Sequence, residues 1–505
     1  MRRQGIFAII LAAVFAVSLV VYFAVIRPVT APKETEKEIP ETELGEVFDI
    51  TERYFMFKNL TRGEIDNVTV NNEHGSFTFE NVGEAGYCIR GYDNVTFDEE
   101  LFATLLNISS YTLAKTKVGS NLSDEKIAEY GLDEPRASWT VTAKDGSSYT
   151  VLVGDKLLTG GGYYCQLEGR KSAYVLDVAI EKTVLVPIEE YVQPVLVAGI
   201  SKDDYYLTED FTMYKNGEKL FSLRLLDKDE MVNKNALAEV MMDYPTEYYP
   251  NSSIYFNLVY SFIQLNADGC AKLGVTYEDL EEYGLLEPAH KMTFKYADAP
   301  FEVSFSELQE DGFYYAHSNF MPTVIAKCSA ENFEFLEYDL LDWVDEYMFQ
   351  QYITNISNMT VKSDKVDVNY DLSHSYSEDG KELLYVKANG ESLNEDGIAH
   401  FRQYYKSFLA LALKDYYVND EYCSLTEEEM EALIADKNNA YLEFTYTTLN
   451  GEETTLAFYR YSTRHSLVTV NGVGEFYVLT DLVQKIENDT VRILNGEEVI
   501  AFDKN

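Results

Sequence analysis

The sequence predicts an α+β protein: tandem repeats of a largely antiparallel sheet with a packed helix, preceded by one N-terminal transmembrane helix. Three observations predict it. A phrase occurs twice, as Glu129-Tyr130-Gly131-Leu132-Asp133-Glu134-Pro135 and as Glu282-Tyr283-Gly284-Leu285-Leu286-Glu287-Pro288. Six of the seven letters agree at a separation of 153 residues, the mark of large repeated units. Short alternating runs flank Asp-Gly and Asn-Gly pairs, which are hairpin signals. Finally, residues 6–26 are uncharged and almost wholly apolar.

The apolar run comes first in the chain. At about 1.5 Å per residue, a helix over it spans roughly 31 Å, the thickness of a bilayer core. It exceeds the h-region of a cleaved signal, roughly 7–15 residues, so a retained signal anchor is expected. Arg2 and Arg3 favour a cytoplasmic N-terminus, although Arg27, Lys33 and Lys37 lie on the other side. The short tail decides the orientation: single pass in the cell membrane, N-terminus cytoplasmic, the bulk of the chain extracytoplasmic. Residues 27–46, rich in Pro, Glu, Lys and Thr, form a solvated acidic linker. Three units follow, over residues 47–198, 199–350 and 351–505.

In the first unit, residues 66–70 and 76–80 alternate around His74-Gly75 and read as a hairpin. Phe97, Leu101, Leu105 and Ile108 fall on one face of a helix, with Asp98, Glu99 and Glu100 at its positive end. A shorter helix runs over 123–130, with Ser123 as N-cap and Gly131 as its stop. Pro135 then forces an extended exit. The repeated phrase is thus a helix stop, a hydrophobic plug (Leu132 or Leu285) and a strand entry. Residues 138–143 and 148–153 flank Asp145-Gly146, and 163–167 and 172–176 flank Glu168-Gly169. Together they predict a four-stranded meander.

The second unit repeats this order. Residues 212–214 and 220–222 flank Asn216-Gly217, helices are predicted over 253–265 and 277–283, and strands over 291–296, 301–305, 313–315 and 323–325. The third unit lacks the repeated phrase. Its strands are expected over 359–361, 366–370, 441–446, 454–459, 467–470 and 475–479, and its helices over 398–413 and 425–435.

The chemistry is sparse. Acidic residues number 85 against 41 basic ones, a formal charge of −44. Such a surface repels phosphate backbones, so no nucleic-acid partner is expected. The scattered cysteines (Cys88, Cys165, Cys270, Cys328 and Cys423) form no CxxC pair and are expected to be small buried hydrophobes. The histidines show no ligand spacing, and neither a GxSxG elbow nor a P-loop occurs. No catalytic residue, cofactor or metal site is therefore assigned. The acidic runs 227–230 and 394–397 do not match a calcium loop. Tyrosine pairs are the more specific signal, above all Tyr163-Tyr164 and Tyr314-Tyr315. In a strand, one ring of each pair faces in and the other out. The outward rings can pack across strands, form a protein-binding surface or stack on sugars.

The basic signal anchor, the acidic linker, the early VTV…G.FTFE hairpin, EYGLxEP and the GYY…..YV strand together resemble the DUF4340 proteins, most closely over residues 64–185. That family has no assigned enzymatic function. Some members occur beside ABC-type export and gliding-associated membrane proteins. The resemblance implies an extracytoplasmic scaffold or accessory protein, not an enzyme, working with a membrane or envelope protein partner. The alternative is a surface module binding glycan or another ligand.

Overall fold

The computed structural model describes residues 16–18, 42–43, 45–227, 230 and 240–500. The expected membrane helix and most of the linker lie outside these residues; 16–18 are helical and exposed. Among the described residues, no helix is long and apolar enough to cross a membrane. The fold is mixed α+β, with several antiparallel sheets and few helices. The described residues divide into two compact units, those up to 65 with 106–180, and 66–105 with those from 181 onward.

The smaller unit holds the predicted meander. Its strands lie in the order Ala137–Ala143, Ser148–Lys156, Tyr163–Leu167, Ala173–Leu176, Thr116–Gly119. Asp145-Gly146 makes the first turn: Asp145 accepts the Ser147 N–H at 2.9 Å, and Gly146 has φ +85°. The edge strand Thr116–Gly119 carries no strong alternating pattern and is seen only by its pairing with Ala173–Leu176.

Glu43 and Glu46, at the end of the linker expected over 27–46, are not solvated but tied into this unit, because the Glu46 carboxylate finds buried donors there. The Glu46 carboxylate accepts from Lys117 Nζ at 2.9 Å, from the Tyr174 hydroxyl at 2.7 Å and from the Glu43 N–H at 3.0 Å. The Ser172 hydroxyl donates to Glu43. Burial alone would raise the Glu46 carboxyl. The Lys117 ammonium, the Glu43 N–H and the Tyr174 phenol outweigh it and hold the group below its ordinary value.

In the larger unit, Ile65–Asn72 pairs with Gly75–Asn81 from Asn67↔Glu80 to Asn72↔Gly75, the predicted hairpin. The next sheet runs Val240–Tyr244, Glu218–Leu225, Glu209–Lys215, His290–Tyr296, Ala299–Phe305, Phe313–Ser318, Val324–Ser329, Gly269–Leu273. Its last five strands follow the order seen in the smaller unit. The helix expected over 253–265 ends at Ser261, because Gln264–Asn266 pairs with Val195–Ala198 as a short strand.

The last sheet runs Glu391–Ser392, Glu382–Ala388, Asp367–Tyr376, Ile356–Ser363, Leu442–Thr448, Glu453–Arg460, His465–Val470, Val473–Leu479. It has no counterpart of the Gly269–Leu273 edge. The helix expected over 398–413 is Glu395–Leu409, started by Asn394, whose side chain accepts the Gly397 N–H at 2.8 Å. Strand Glu382–Ala388 and helix Thr480–Asn495 are additions to the expected set. That helix buries Val483, Ile486, Thr490 and Ile493, an i, i+3, i+7, i+10 stripe.

One hydrophobic core runs continuously through these last two sheets. Trp343 packs on Phe221 with centroids 4.9 Å apart, and Tyr248 on Phe476 at 5.6 Å. Phe349 meets Tyr405, Phe408, Phe444 and Tyr446 at 5.0–6.2 Å. Glu487, on the C-terminal helix, is 1% exposed. It accepts from Lys365 Nζ at 2.6 Å, the Tyr441 hydroxyl at 2.7 Å and the Ser363 hydroxyl at 2.8 Å.

Candidate functional site

The repeated phrase builds the same turn twice. Ser123 caps helix Asp124–Glu129, and Thr276 caps helix Tyr277–Glu282 with a capping box to Asp279. Each helix ends as the Leu132 N–H reaches back to the Ile127 carbonyl at 3.1 Å and the Leu285 N–H to the Leu280 carbonyl at 2.8 Å. This reversal needs a left-handed residue: Gly131 has φ +65° and Gly284 has φ +69°. Leu132 and Leu285 are buried, the predicted plugs.

Beyond the turn the two copies part. Ala137 pairs with Val153, and His290 with Phe305, so Gly154 answers to Ser306 and Asp155 to Glu307. In the first copy the strand end lies against the phrase: the Asp155 N–H donates to the Tyr130 carbonyl at 2.8 Å. A Cβ on Gly154 would collide with that carbonyl oxygen. Arg136 closes the place, its guanidinium 2.7 Å from Asp155 Oδ1. Lys126 pairs with Glu129 beside it.

In the second copy Ser306 turns back on its own sheet. Its N–H donates to the Tyr315 carbonyl at 2.8 Å, and its hydroxyl accepts the Tyr315 N–H at 2.9 Å. Ala289 replaces Arg136, and Asp279 replaces Lys126. A groove of about 1010 Å³ opens there, lined by the phrase, Tyr214, Tyr315, Lys291, Ser306 and Glu307. Glu281, Glu282, Glu287 and Glu307 line it and pair with no cation among the described residues. Lys291 is held by Glu302 at 3.0 Å.

The strand tyrosines alternate as expected. Tyr163 and Tyr314 are buried, and Tyr164 and Tyr315 are half-buried. Each outward ring is met by the tyrosine of the repeated phrase. Tyr130 stacks on Tyr164 at 4.3 Å, and Tyr283 sets its edge on Tyr315 at 4.7 Å. The tyrosine pair and the phrase, separate signals in the sequence, form one site. Burial, with the Asp311 carboxylate 2.9 Å from its hydroxyl, pushes the Tyr315 phenol up to about 12. Alternation fails off the strands: Tyr248 and Tyr249, and Tyr404 and Tyr405, are buried together.

Other titratable groups are brought together elsewhere. His465 Nδ1 lies 2.7 Å from Asp420 Oδ2, which also accepts the Tyr461 hydroxyl at 2.6 Å. Tyr477 stacks on the imidazole at 4.4 Å. Neither short-range sequence spacing nor a motif marks this trio. Among the described residues no group of three or more His, Cys, Asp or Glu side chains could hold a metal ion. The acidic run at 394–397 is the helix start described above. Cys88, Cys165 and Cys328 are buried, whereas Cys270 and Cys423 are only half-buried. Burial pushes the Cys270 thiol up to about 12, far from thiolate character.

Tyrosine hydroxyls donate repeatedly to carboxylates: Tyr174 to Glu46, Tyr314 to Glu337, Tyr441 to Glu487 and Tyr461 to Asp420. With 85 acidic residues, 41 basic ones and 40 tyrosines, the phenol is the donor in good supply.

These features define an α+β protein of antiparallel meanders, two of them entered through a helix–glycine–plug turn, with an acidic, tyrosine-lined groove beside the second turn. Residues 98–253 match the model of DUF4340, a domain of unknown function, and the chain carries a DUF4340 domain there. The match starts at helix Glu99–Ser110 and ends at helix Ser252–Ser261, which holds the corresponding place in the next sheet. No curated protein and no solved structure matches the chain.

Proposed function

We propose that the protein is a membrane-anchored extracytoplasmic scaffold or accessory protein, built from three copies of one α+β unit. It binds a membrane or envelope protein partner, in an ABC-type transport or other envelope-associated complex, and performs no catalysis itself. The observation that carries this reading is the knot at Glu46. The last residue of the linker, Glu46, is fastened by its buried carboxylate to Lys117 and Tyr174. A helix anchored in a membrane through residues 6–26 would therefore be joined to a linker whose far end is fixed in the folded part. The buried ionisable groups Glu46, Glu487 and Asp420 are likewise engaged in fastening segments together. The tyrosine-lined groove favours a second reading, a surface module binding glycan or another ligand.

The test is affinity purification of the full-length protein from its own membrane, followed by mass spectrometry. A stoichiometric membrane or envelope partner is expected. Recovery of the protein alone, together with turnover of a peptide, glycan or phosphoester that one point mutation abolishes without unfolding, would overturn the proposal.

A further inference from the structure

We infer that the groove beside Tyr283 and Tyr315 receives an arginine or lysine side chain of an extended basic segment on a partner protein. This rests on the binding-scaffold reading above and names the partner's chemistry. The first copy of the turn is the internal control. There the chain supplies its own cation: Arg136 pairs with Asp155 and lies 5.9 Å from the centre of the Tyr163 ring. The Asp155 N–H docks on the Tyr130 carbonyl, so the strand end lies against the turn. In the second copy the carboxylates persist at Glu282, Glu287 and Glu307, and the rings persist at Tyr283, Tyr314 and Tyr315. Both cations are gone, replaced by Ala289 and Asp279.

The emptied place is the groove of about 1010 Å³, large enough for a long side chain and its flanking backbone. Its carboxylates carry an unpaired negative charge, and Lys291 is already taken by Glu302. A guanidinium or ammonium entering there meets several carboxylates together with ring faces and edges, the surroundings that favour a cation. Anionic and phosphate-bearing partners are repelled. An extended segment can place alternate residues in the groove while the others face water.

The test uses the full-length protein in detergent and a short fluorescent peptide alternating Arg and Ser, followed by anisotropy. A peptide with Gln for every Arg and a neutral oligosaccharide are the comparison probes. The Arg peptide binds, and its affinity falls with salt. Ala289→Arg restores the guanidinium of the first copy in the groove and weakens binding by at least about tenfold, as expected for a like charge placed at a contact. The double variant Glu282→Gln with Glu307→Gln weakens it too, and serves if Ala289→Arg fails to fold. Glu427→Gln, a distant exposed change of the same charge, leaves binding unaltered.

Unchanged binding to the groove variants, or an equal loss in Glu427→Gln, would overturn the inference and leave only general attraction to an acidic surface. Binding of the oligosaccharide in place of the Arg peptide would overturn it in favour of a sugar site. A membrane partner captured equally well by wild type and Ala289→Arg would sink the groove and spare the scaffold reading. Groove-dependent peptide binding with no partner ever recovered would do the reverse.

Discussion

The Glu46 carboxylate meets the Lys117 ammonium at 2.9 Å, with no part of the glutamate side chain open to solvent. The lysine side chain is only 9% exposed and lies over the rings of Tyr54 and Tyr174. Removing one partner of such a pair strands the other charge away from water. Glu46→Ala should destabilise the smaller unit by about 3–5 kcal/mol, and Glu46→Ala with Lys117→Met by less. Urea unfolding of single and double variants checks this. A double variant no better than the single would mean that the pair is not coupled.

Acid should loosen the same contacts. Burial raises the carboxyls of Glu46 and Glu487, but their lysine and tyrosine donors outweigh it, so both are held below the ordinary 4.5. A depressed folded value means that the unfolded chain binds the proton first. The stabilisation is therefore complete above the ordinary carboxyl range and disappears as pH falls through the lower folded values. Urea midpoints measured from pH 7 downward should show an acid limb that becomes shallower in Glu46→Gln with Glu487→Gln. An identical limb in wild type and variant would contradict the assignment.

Gly154 is required by proximity to the Tyr130 carbonyl, whereas its counterpart Ser306 has room. Gly154→Ala should cost about 1–3 kcal/mol through overpacking against backbone. Ser306→Ala removes only the hydroxyl that accepts the Tyr315 N–H and should cost about 1 kcal/mol. Equal melting-point losses for the two would show that the copies do not differ in the way described.

Phe349 sits among Tyr405, Phe408, Phe444 and Tyr446 within the core that continues from Phe221 to Phe476. Phe349→Ala should cost about 3–5 kcal/mol. Hydrogen exchange should show protection falling together in strands Glu218–Leu225 and Val473–Leu479, because they share that core. Loss confined to the second strand would separate the two sheets energetically.

The legible parts of the fold are those fixed locally. Asp145-Gly146, Asn216-Gly217 and Asn471-Gly472 mark their turns because each needs a positive φ that few residues adopt. The stops at Gly131 and Gly284 were readable for the same reason. The edge strands Thr116–Gly119 and Gly269–Leu273 take their conformation from a neighbour distant in sequence. No local period reveals them. The end of the helix near Ser261 belongs to this class too, since Val195–Ala198 claims the residues beyond it. Helix Thr480–Asn495 was within reach of sequence, because its apolar stripe has helical spacing. At the site, the alternation of Tyr314 and Tyr315 was legible. The meeting of Tyr315 with Tyr283 was not, since it depends on how the turn docks on the meander.

The phenol–carboxylate bonds have a consequence for the conditions under which the protein holds together. An ion pair is weakened by counter-ions, whereas a phenol brings a neutral hydroxyl to the carboxylate and offers them little to screen. Salt lessens the mutual repulsion of a surface with formal charge −44 while leaving the Tyr314–Glu337 and Tyr461–Asp420 bonds nearly untouched. Brine is therefore a milder medium for this chain than dilute buffer.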